Sequence, residues 1–279
     1  GLCLVGSEMC IRDSLYPGRN GKNCVSGISG GIWRCYNFIE GCKTYDVVEN
    51  TRQAYQAAKA FGAFQDLVSD LPTKKVDVTI PDFHNTPERY SRLMAAMEND
   101  SCDRVKNVQE EINFITSRES IVGVLLDHLA AGRLTERVTH NDTKLNNVMI
   151  DGETDEAVCV IDLDTVMPGL ALYDFGDLVR GATSPVAEDE LDTSKVEMRL
   201  PMFEAIVEGY LETAANFLTP LEIDLLPFSA KLISLETGIR FLTDYLEGDQ
   251  YFRVHRDNHN LDRCRTQLAL VKSIENQES

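Results

Sequence analysis

The sequence has no run of about 18 apolar residues, so we predict no membrane-spanning helix. It is also short of basic residues, with 27 Lys and Arg against 45 Asp and Glu and a formal net charge of −18. This balance argues against nucleic acid or an anionic membrane as the main partner. A nucleotide stays compatible with it, because Mg²⁺ can bind phosphates locally inside an acidic protein.

The eight cysteines lack the spacing of a metal or redox site. None of them forms a C-x-x-C pair, so neither zinc ligation nor a redox dithiol is indicated. Eight dispersed thiols in a chain of this size are typical of a reducing compartment. We therefore predict a cytoplasmic protein in which the cysteines are packing residues.

Residues 1–14 (GLCLVGSEMCIRDS) show neither a helical nor a strand periodicity and lack the layout of a signal peptide. The string resembles a translated sequencing-adapter artefact of the kind found at the ends of assembled gene fragments. We interpret residues 1–14 as non-native and expect the true start of the gene to lie upstream.

Residues 15–40 have the composition of β-structure. Asn20-Gly21 is typical of a two-residue hairpin turn, and residues 32–39 (IWRCYNFI) are rich in β-branched and aromatic side chains. We predict that residues 15–40 are the remnant of an N-terminal β-sheet, whose last strand ends in a hinge at Glu40-Gly41.

From residue 49 the pattern is mostly helical, which predicts a helical lobe over residues 41–279. Asn85 before Pro87 indicates a helix start, a capping side chain followed by a proline in the first turn. Residues 138–162 interrupt the helices with a polar loop and two short strands, so the predicted class is α+β. Apolar residues spaced three and four apart form the predicted buried stripes: Ala54, Ala57, Phe61, Phe64 and Val68; Phe203, Ile206 and Tyr210; Leu232, Leu235, Ile239, Leu242 and Leu246.

The polar loop carries the chemistry. His140-x-Asp142-x-Lys144-x-x-Asn147 fits the catalytic loop of kinases, H-x-D-x-x-x-x-N. Phosphoryl transfer requires positioning and charge stabilisation, and Asp142 could accept the proton of an acceptor hydroxyl. Asn147 offers an oxygen to Mg²⁺, which prefers oxygen ligands. Lys144 could reach the transferring phosphate, whereas His140 is interpreted as a structural hydrogen-bonder.

Two further carboxylates complete the predicted metal site. Asp162 follows an apolar strand 20 residues after Asp142 and is the expected second Mg²⁺ ligand. Asp164 lies two residues further, on the same strand face, and could hold a second ion. A cap or turn role is the alternative for Asp164.

Two look-alike motifs are rejected. Asp174-Phe175-Gly176 spells the kinase metal triplet, but no apolar strand leads into it. His255-Arg256-Asp257 spells the catalytic-loop triplet, yet position 262 is Asp where Asn is needed. His255 and His259 have the spacing of a zinc-protease helix without its Glu, so we predict surface helix residues.

The loop 138–147, the strand and turn 160–169, and residues 173–177 together resemble the aminoglycoside phosphotransferase/choline kinase superfamily. Within it, residues 33–40, 83–87 and 238–249 are most similar to the N-acetylhexosamine 1-kinases. The resemblance runs from about 16 to 274 and implies a protein-kinase-like fold with a mostly helical C-lobe.

This resemblance implies transfer of phosphate from ATP, with Mg²⁺, onto the anomeric hydroxyl of N-acetylglucosamine or N-acetylgalactosamine. Asp142 would be the base, and Asn147 with Asp162 would hold Mg²⁺. The backbone of Phe38, Ile39 and Glu40 would border the adenine, while Arg240 and Tyr251 would contact the sugar. The alternative for Arg240 is a solvated i, i+4 ladder with Glu236 and Asp244.

The sequence departs from the family pattern in its N-terminal residues. The glycine-bearing turn and the strand lysine that hold the ATP phosphates cannot be placed, since residues 18–22 fail the P-loop spacing and residues 27–31 indicate a hairpin turn. We therefore expect an N-terminally truncated chain that is impaired as a kinase.

Two other functions remain open. One is a small-molecule kinase acting on an aminoglycoside, choline or homoserine, for which the acidic balance would suit a cationic acceptor. The other is a non-catalytic binding protein, against which the intact Asp142, Asn147 and Asp162 argue.

Overall fold

The computed structural model describes residues 15–27 and 30–278. The segment interpreted as non-native, residues 1–14, lies outside this range. The first described residues form the strands β1 (Val25–Ser26) and β2 (Ile32–Trp33), which pair antiparallel. The Gly27 N–H donates to the Gly31 carbonyl at 2.6 Å, as expected for the predicted hairpin turn.

The strand predicted over residues 32–39 is wrong for most of its length. Only Ile32 and Trp33 pair with β1, and Tyr36 makes a single bridge with Leu15. The turn at Asn20-Gly21 is present, with Gly18 N–H and Lys22 carbonyl bonded at 2.8 Å, but it does not join two strands. A β-strand needs a partner along its whole length, and after Trp33 the described residues show an isolated bridge at Tyr36 in place of a continuous ladder.

Helices form most of the remaining chain, as the apolar spacing predicts. The Asn85 side chain accepts from the Glu88 N–H at 3.1 Å and begins the second helix, which confirms that cap. The helices are α1 (Thr51–Leu67), α2 (Thr86–Asn99), α3 (Gln109–Thr116), α4 (Val124–Ala130), α5 (Ala171–Thr183), α6 (Leu200–Ala214), α7 (Pro220–Asp224), α8 (Leu226–Glu247) and α9 (His259–Glu275).

Two small sheets carry the polar loop. The hairpin β5 (Val148–Asp151) and β6 (Ala157–Val160) is joined at its edge by β3 (Cys42–Lys43), with Cys42 opposite Asp151 and Met149 opposite Cys159. The strands β4 (Arg137–Thr139) and β7 (Met167–Gly169) form a separate antiparallel pair. The catalytic loop, residues 140–147, therefore leaves one sheet and enters the other.

The core is built around the long helix α8. Its first half belongs to one apolar cluster with α1, α5 and α6, and its second half belongs to another with α2, α3 and α9. The predicted stripes are buried, apart from the partly buried Phe203. Gly209 permits the close crossing of α6 and α1, because a Cβ there would overlap the Tyr55 carbonyl. No described helix is both long enough and apolar enough to cross a membrane.

Candidate active site

The first turns of α5 hold the catalytic loop in place. Asp174 is buried, and its carboxylate accepts from the backbone N–H groups of His140 at 2.9 Å and Asn141 at 2.7 Å. One turn later, Asp177 accepts from the Thr143 N–H at 3.0 Å. The loop backbone is thereby satisfied by two carboxylates that have the i, i+3 spacing of a helix face.

His140 is a structural hydrogen-bonder, as its sequence context indicates. Its ring is fully buried, with edge contacts to Phe61 and Phe64. Nδ1 accepts from the Asp142 N–H at 3.3 Å, so Nε2 carries the proton and donates to the Ile161 carbonyl at 3.0 Å. The ring thus links the catalytic loop to the end of β6.

The Asp142 carboxylate contacts two side chains of the catalytic loop, those of Lys144 and Asn147. Lys144 Nζ lies 2.9 Å from one carboxylate oxygen, and Asn147 Nδ2 lies 3.2 Å from the other. Burial lowers the pKa of Lys144. The negative charges of Asp142 and Asp177 raise it by a larger amount, so the pKa of Lys144 lies above its ordinary value. Lys144 is therefore a cation beside the carboxylate that would receive the acceptor proton.

Asn147 and Asp162 are brought together by the hairpin. The Ile161 N–H donates to the Asn147 carbonyl at 2.9 Å, which places Asp162 one residue from a direct contact with the loop. Asp162 has φ 60° and ψ 58°, the left-handed region that Asp tolerates better than most residues. Asp162 thus lies two residues after the end of β6, in a backbone conformation that is compatible with a functional site.

The donor set fits a hard divalent cation. The Asn147 amide directs its NH₂ at Asp142, and its oxygen accepts no hydrogen bond from the described residues. The Asp162 carboxylate makes no capping bond to the turn that follows it. Mg²⁺ is usually bound by one or two carboxylates together with substrate phosphates. In the described part of the chain no cluster of three or more His, Cys, Asp or Glu offers an alternative metal site.

The strand-face argument for Asp164 is wrong. Strand β6 ends at Val160, and residues Leu163–Thr165 form a 3₁₀ turn. The Asp164 carboxylate is paired with Arg34 Nη2, with contacts of 2.5 and 2.7 Å. A metal ion at Asp164 would have to share this carboxylate with Arg34, so its role as a ligand stays a prediction.

A cavity of about 310 Å³ opens beside Asp142 and Lys144. Arg240 of α8 lies on its wall between two aromatic rings, 5.0 Å from the centroid of Phe83 and 5.5 Å from that of Phe252. The predicted alternative, a solvated ladder with Glu236 and Asp244, does not form, because both carboxylates are buried and bonded elsewhere. Arg240 makes no ion pair within the described residues and is available to a ligand.

The remaining predicted contacts are placed differently. Tyr251 is 67% exposed and lines a neighbouring cleft with Arg240, outside the cavity at Asp142. Phe38 is 89% exposed and precedes β3, the strand that pairs with the catalytic hairpin. Ile39 follows Phe38 directly, and Glu40 begins the turn before β3. The adenine role of Phe38, Ile39 and Glu40 stays a prediction.

A buried pair at the wall of the cavity was not predicted. His84 Nδ1 lies 2.8 Å from Glu236, and its Nε2 lies 3.4 Å from the Asn141 carbonyl. Burial raises the pKa of Glu236, but His84 and a 2.5 Å bond from the Thr86 hydroxyl lower it below its ordinary value. The start of α2 is thus tied to both α8 and the catalytic loop.

A sequence signal for the loop support does exist. Asp174, Asp177 and Arg180 are charged residues at i, i+3 and i+6 in an otherwise apolar helix. Charges on a buried face require partners, and Arg180 pairs with Asp177 at 2.9 Å and with Glu188 at 2.7 Å. No comparable signal marks His84 or Glu236.

The look-alike motifs have other roles. Asp174 is enclosed by N–H donors from Gln65, His140 and Asn141. Asp257 is exposed at the start of α9. The prediction of a surface position is wrong for His259, which is buried and contacts Asp189 at 3.0 Å.

A sequence model of the phosphotransferase enzyme family matches residues 23–202, which include the catalytic loop, the hairpin and α5. The chain belongs to this phosphotransferase family. Its fold is similar to that of a microcompartment-associated aminopropanol kinase, with a TM-score of 0.60 and 14% identity over 95% of this chain and 75% of that chain. An aminoglycoside phosphotransferase from Alicyclobacillus acidocaldarius gives a TM-score of 0.63 and 12% identity over 95% and 77%.

These similarities confirm the predicted kinase-like α+β fold. Membership of the phosphotransferase family makes the chain a kinase-type enzyme that acts on a small molecule. At 12–14% identity, the solved phosphotransferases establish the fold alone.

Proposed function

We propose that this phosphotransferase transfers the γ-phosphate of ATP to the anomeric hydroxyl of N-acetylglucosamine or N-acetylgalactosamine. The observation that carries the proposal is Arg240, an unpaired guanidinium held between Phe83 and Phe252 on the wall of the cavity beside Asp142. Aromatic faces can pack on the C–H faces of a sugar, and a guanidinium offers several N–H donors to its hydroxyl and acyl oxygens.

The charge of the cavity supports a neutral acceptor over a polycationic one. Three carboxylates lie on its wall, those of Asp142, Asp177 and Glu188. Five cationic side chains face them, so the wall carries two more positive than negative groups although the chain as a whole is acidic. They are Lys144, Arg180, Arg240, Arg253 and Arg263. An aminoglycoside or choline would meet repulsion here.

In the proposed reaction, Asp142 accepts the proton of the acceptor hydroxyl. The sugar oxygen then forms a bond to the γ-phosphorus, and the bond between that phosphorus and the β–γ bridging oxygen breaks, so that ADP leaves with this oxygen. Lys144, 2.9 Å from Asp142, orients the carboxylate and faces the negative charge on the transferring group. Asn147 and Asp162 would hold Mg²⁺, which supplies charge neutralisation at the phosphates.

The test combines acceptor binding with product formation. Calorimetric titration of N-acetylglucosamine, N-acetylgalactosamine, choline and kanamycin should show binding of the sugars only, and Arg240→Met should weaken it. Phosphorus NMR with ATP and Mg²⁺ should detect a sugar 1-phosphate even when turnover is slow. Arg118→Met is the matched control, since Arg118 pairs with Glu275 away from the cavity. Turnover of choline or kanamycin alone would disprove the sugar assignment.

A further inference from the structure

A second, smaller cleft adjoins the acceptor cavity and shares Arg240 and Phe252 with it. Its volume is about 50 Å³, enough for a group of a few heavy atoms. Arg89 and Arg92 of α2 and Arg240 of α8 converge on this cleft, with Tyr251 at its edge. Three guanidinium groups thus line a small space in a chain of net charge −18.

The two carboxylates of the cleft are bonded to other groups, so two of its three guanidinium groups have no ionic partner within the described residues. Asp244 accepts from the N–H groups of Tyr251 and Phe252 at 2.7 and 3.0 Å, and from the Asn260 amide at 2.8 Å. Glu247 pairs with Arg92 at 3.5 Å. Within the described residues, neither Arg89 nor Arg240 forms a salt bridge.

Arg89 is the least satisfied group. Its Nη2 donates to the Phe83 carbonyl at 3.1 Å, and its buried Nε has no acceptor. Burial and the neighbouring charge of Arg240 both lower the pKa of Arg89. Two adjacent guanidinium groups repel each other. An anion bound between them attracts both and makes their close approach favourable.

We propose that this cleft is a binding site for a small oxyanion, a carboxylate or phosphate group, held by Arg89 and Arg240. Arg240 also lines the acceptor cavity, so an oxyanion in the cleft and a sugar in the cavity would both contact this side chain. The oxyanion is either a free ion or a substituent on the acceptor. The substituent case rests on the proposed sugar kinase function, whereas the binding site itself does not.

The primary probe is inorganic phosphate, titrated by calorimetry without nucleotide. Arg89→Gln should weaken its binding roughly 10- to 100-fold, the size of one charge-assisted hydrogen bond. Glu247→Gln should strengthen it, because the change removes the negative charge that competes for Arg92. A purely structural role for Arg89 would not produce opposite effects from the two variants.

Controls separate this cleft from the catalytic centre and from misfolding. Lys144→Met should leave phosphate binding in the cleft unchanged, and the circular dichroism of each variant should match that of the parent. Loss of phosphate binding in Lys144→Met alone, or equal binding by Arg89→Gln and the parent, would overturn the proposal.

The source of the oxyanion is resolved by comparing N-acetylglucosamine with its 6-phosphate. Tighter binding of the phosphorylated sugar that depends on Arg89 indicates a substituent on the acceptor. Independent binding of phosphate and of the unmodified sugar indicates a free ion. If phosphate binds but neither sugar does, the oxyanion site stands and the sugar kinase proposal fails.

Discussion

At the scale of single residues, the proposed mechanism assigns Asp142 to the acceptor and Asn147 and Asp162 to the metal ion. Asp142 faces the cavity and is bonded to Lys144 and Asn147, whereas Asp162 lies across the hairpin after β6. The proposed mechanism gives the two carboxylates different roles, a base and a metal ligand, so their substitution should have different consequences.

Asp142→Asn should reduce product formation by about 10²–10⁴-fold, the usual contribution of a general base. Nucleotide binding should stay close to that of the parent, because Asp142 contacts the acceptor side. Phosphorus NMR measures the first quantity and calorimetric titration with ATP and Mg²⁺ measures the second. Unchanged product formation would remove Asp142 from the proposed mechanism.

Asp162→Asn should weaken nucleotide binding only when Mg²⁺ is present. Asp164→Asn should have a smaller effect, since the Asp164 carboxylate is already paired with Arg34. Titrations of ATP with Mg²⁺ and with EDTA distinguish the two variants. Equal losses in both would show that Asp164 ligates the metal and that the Arg34 pair yields to it.

At the scale of elements, α5 is the support of the active site. It presents Asp174 and Asp177 to the backbone of the catalytic loop, so the conformation of the loop depends on a helix that begins 24 residues after the loop ends. A substitution in α5 should therefore lower the free energy of unfolding more than it weakens metal binding.

Asp174→Asn should destabilise the protein by about 1–3 kcal/mol, the cost of leaving a buried N–H group without its acceptor. A shift in the urea midpoint measures this loss. The folded variant should still bind nucleotide with Mg²⁺, because Asp174 contacts Gln65 and the loop backbone. Loss of Mg²⁺-dependent binding in a folded Asp174→Asn protein would contradict the metal assignment.

The α2–α8 junction should make stability depend on pH. The pKa of Glu236 lies below its ordinary value in the folded state, so the ionised carboxylate stabilises the fold above the unfolded pKa. This contribution is lost as the pH falls through the folded pKa. Glu236→Gln should therefore be less stable than the parent near pH 7, with the difference shrinking in acid.

Urea unfolding of the parent and of Glu236→Gln between pH 7 and pH 3 provides the measurement. The exposed Glu204 supplies the control variant Glu204→Gln, which should follow the parent throughout. A difference that stayed constant down to pH 3 would mean that ionisation of Glu236 contributes nothing.

At the scale of the whole molecule, apolar exposure is concentrated in one segment. Ile32, Trp33 and Phe38 are 73%, 67% and 89% exposed, and the short hairpin β1–β2 offers them no cover. The chain as a whole carries a net charge of −18. An exposed apolar patch on a β-segment favours self-association.

Ile32→Thr combined with Phe38→Ser should reduce this self-association, measured by light scattering at rising protein concentration. The free energy of unfolding should change little, because both side chains are exposed. Leu191→Ser, at a 72% exposed position outside the segment, is the matched control. Equal scattering from the parent and the double variant would exclude residues 32–38 as the contact surface.

The sequence alone determined the features that depend on residues close to one another in the chain. The apolar spacing of α1, α6 and α8, the Asn85 cap and the hairpin after the catalytic loop were all predictable, since 3.6- and 2-residue periods are local. The loop spacing from His140 to Asn147 identified the chemistry for the same reason. The extended strand over residues 32–39 failed because composition does not provide a pairing partner.

Only the tertiary structure decided which charged groups form ion pairs within the protein and which can contact a ligand. Glu236 contacts His84 from 152 positions away, and Asp164 contacts Arg34 from 130 positions away. Glu236 bonds to His84 and Asp244 accepts backbone N–H groups, so Arg240 has no ion pair within the described residues and lies on the wall of a cavity. The partner of a charge is set by packing between distant elements, and no local pattern in this sequence encodes it.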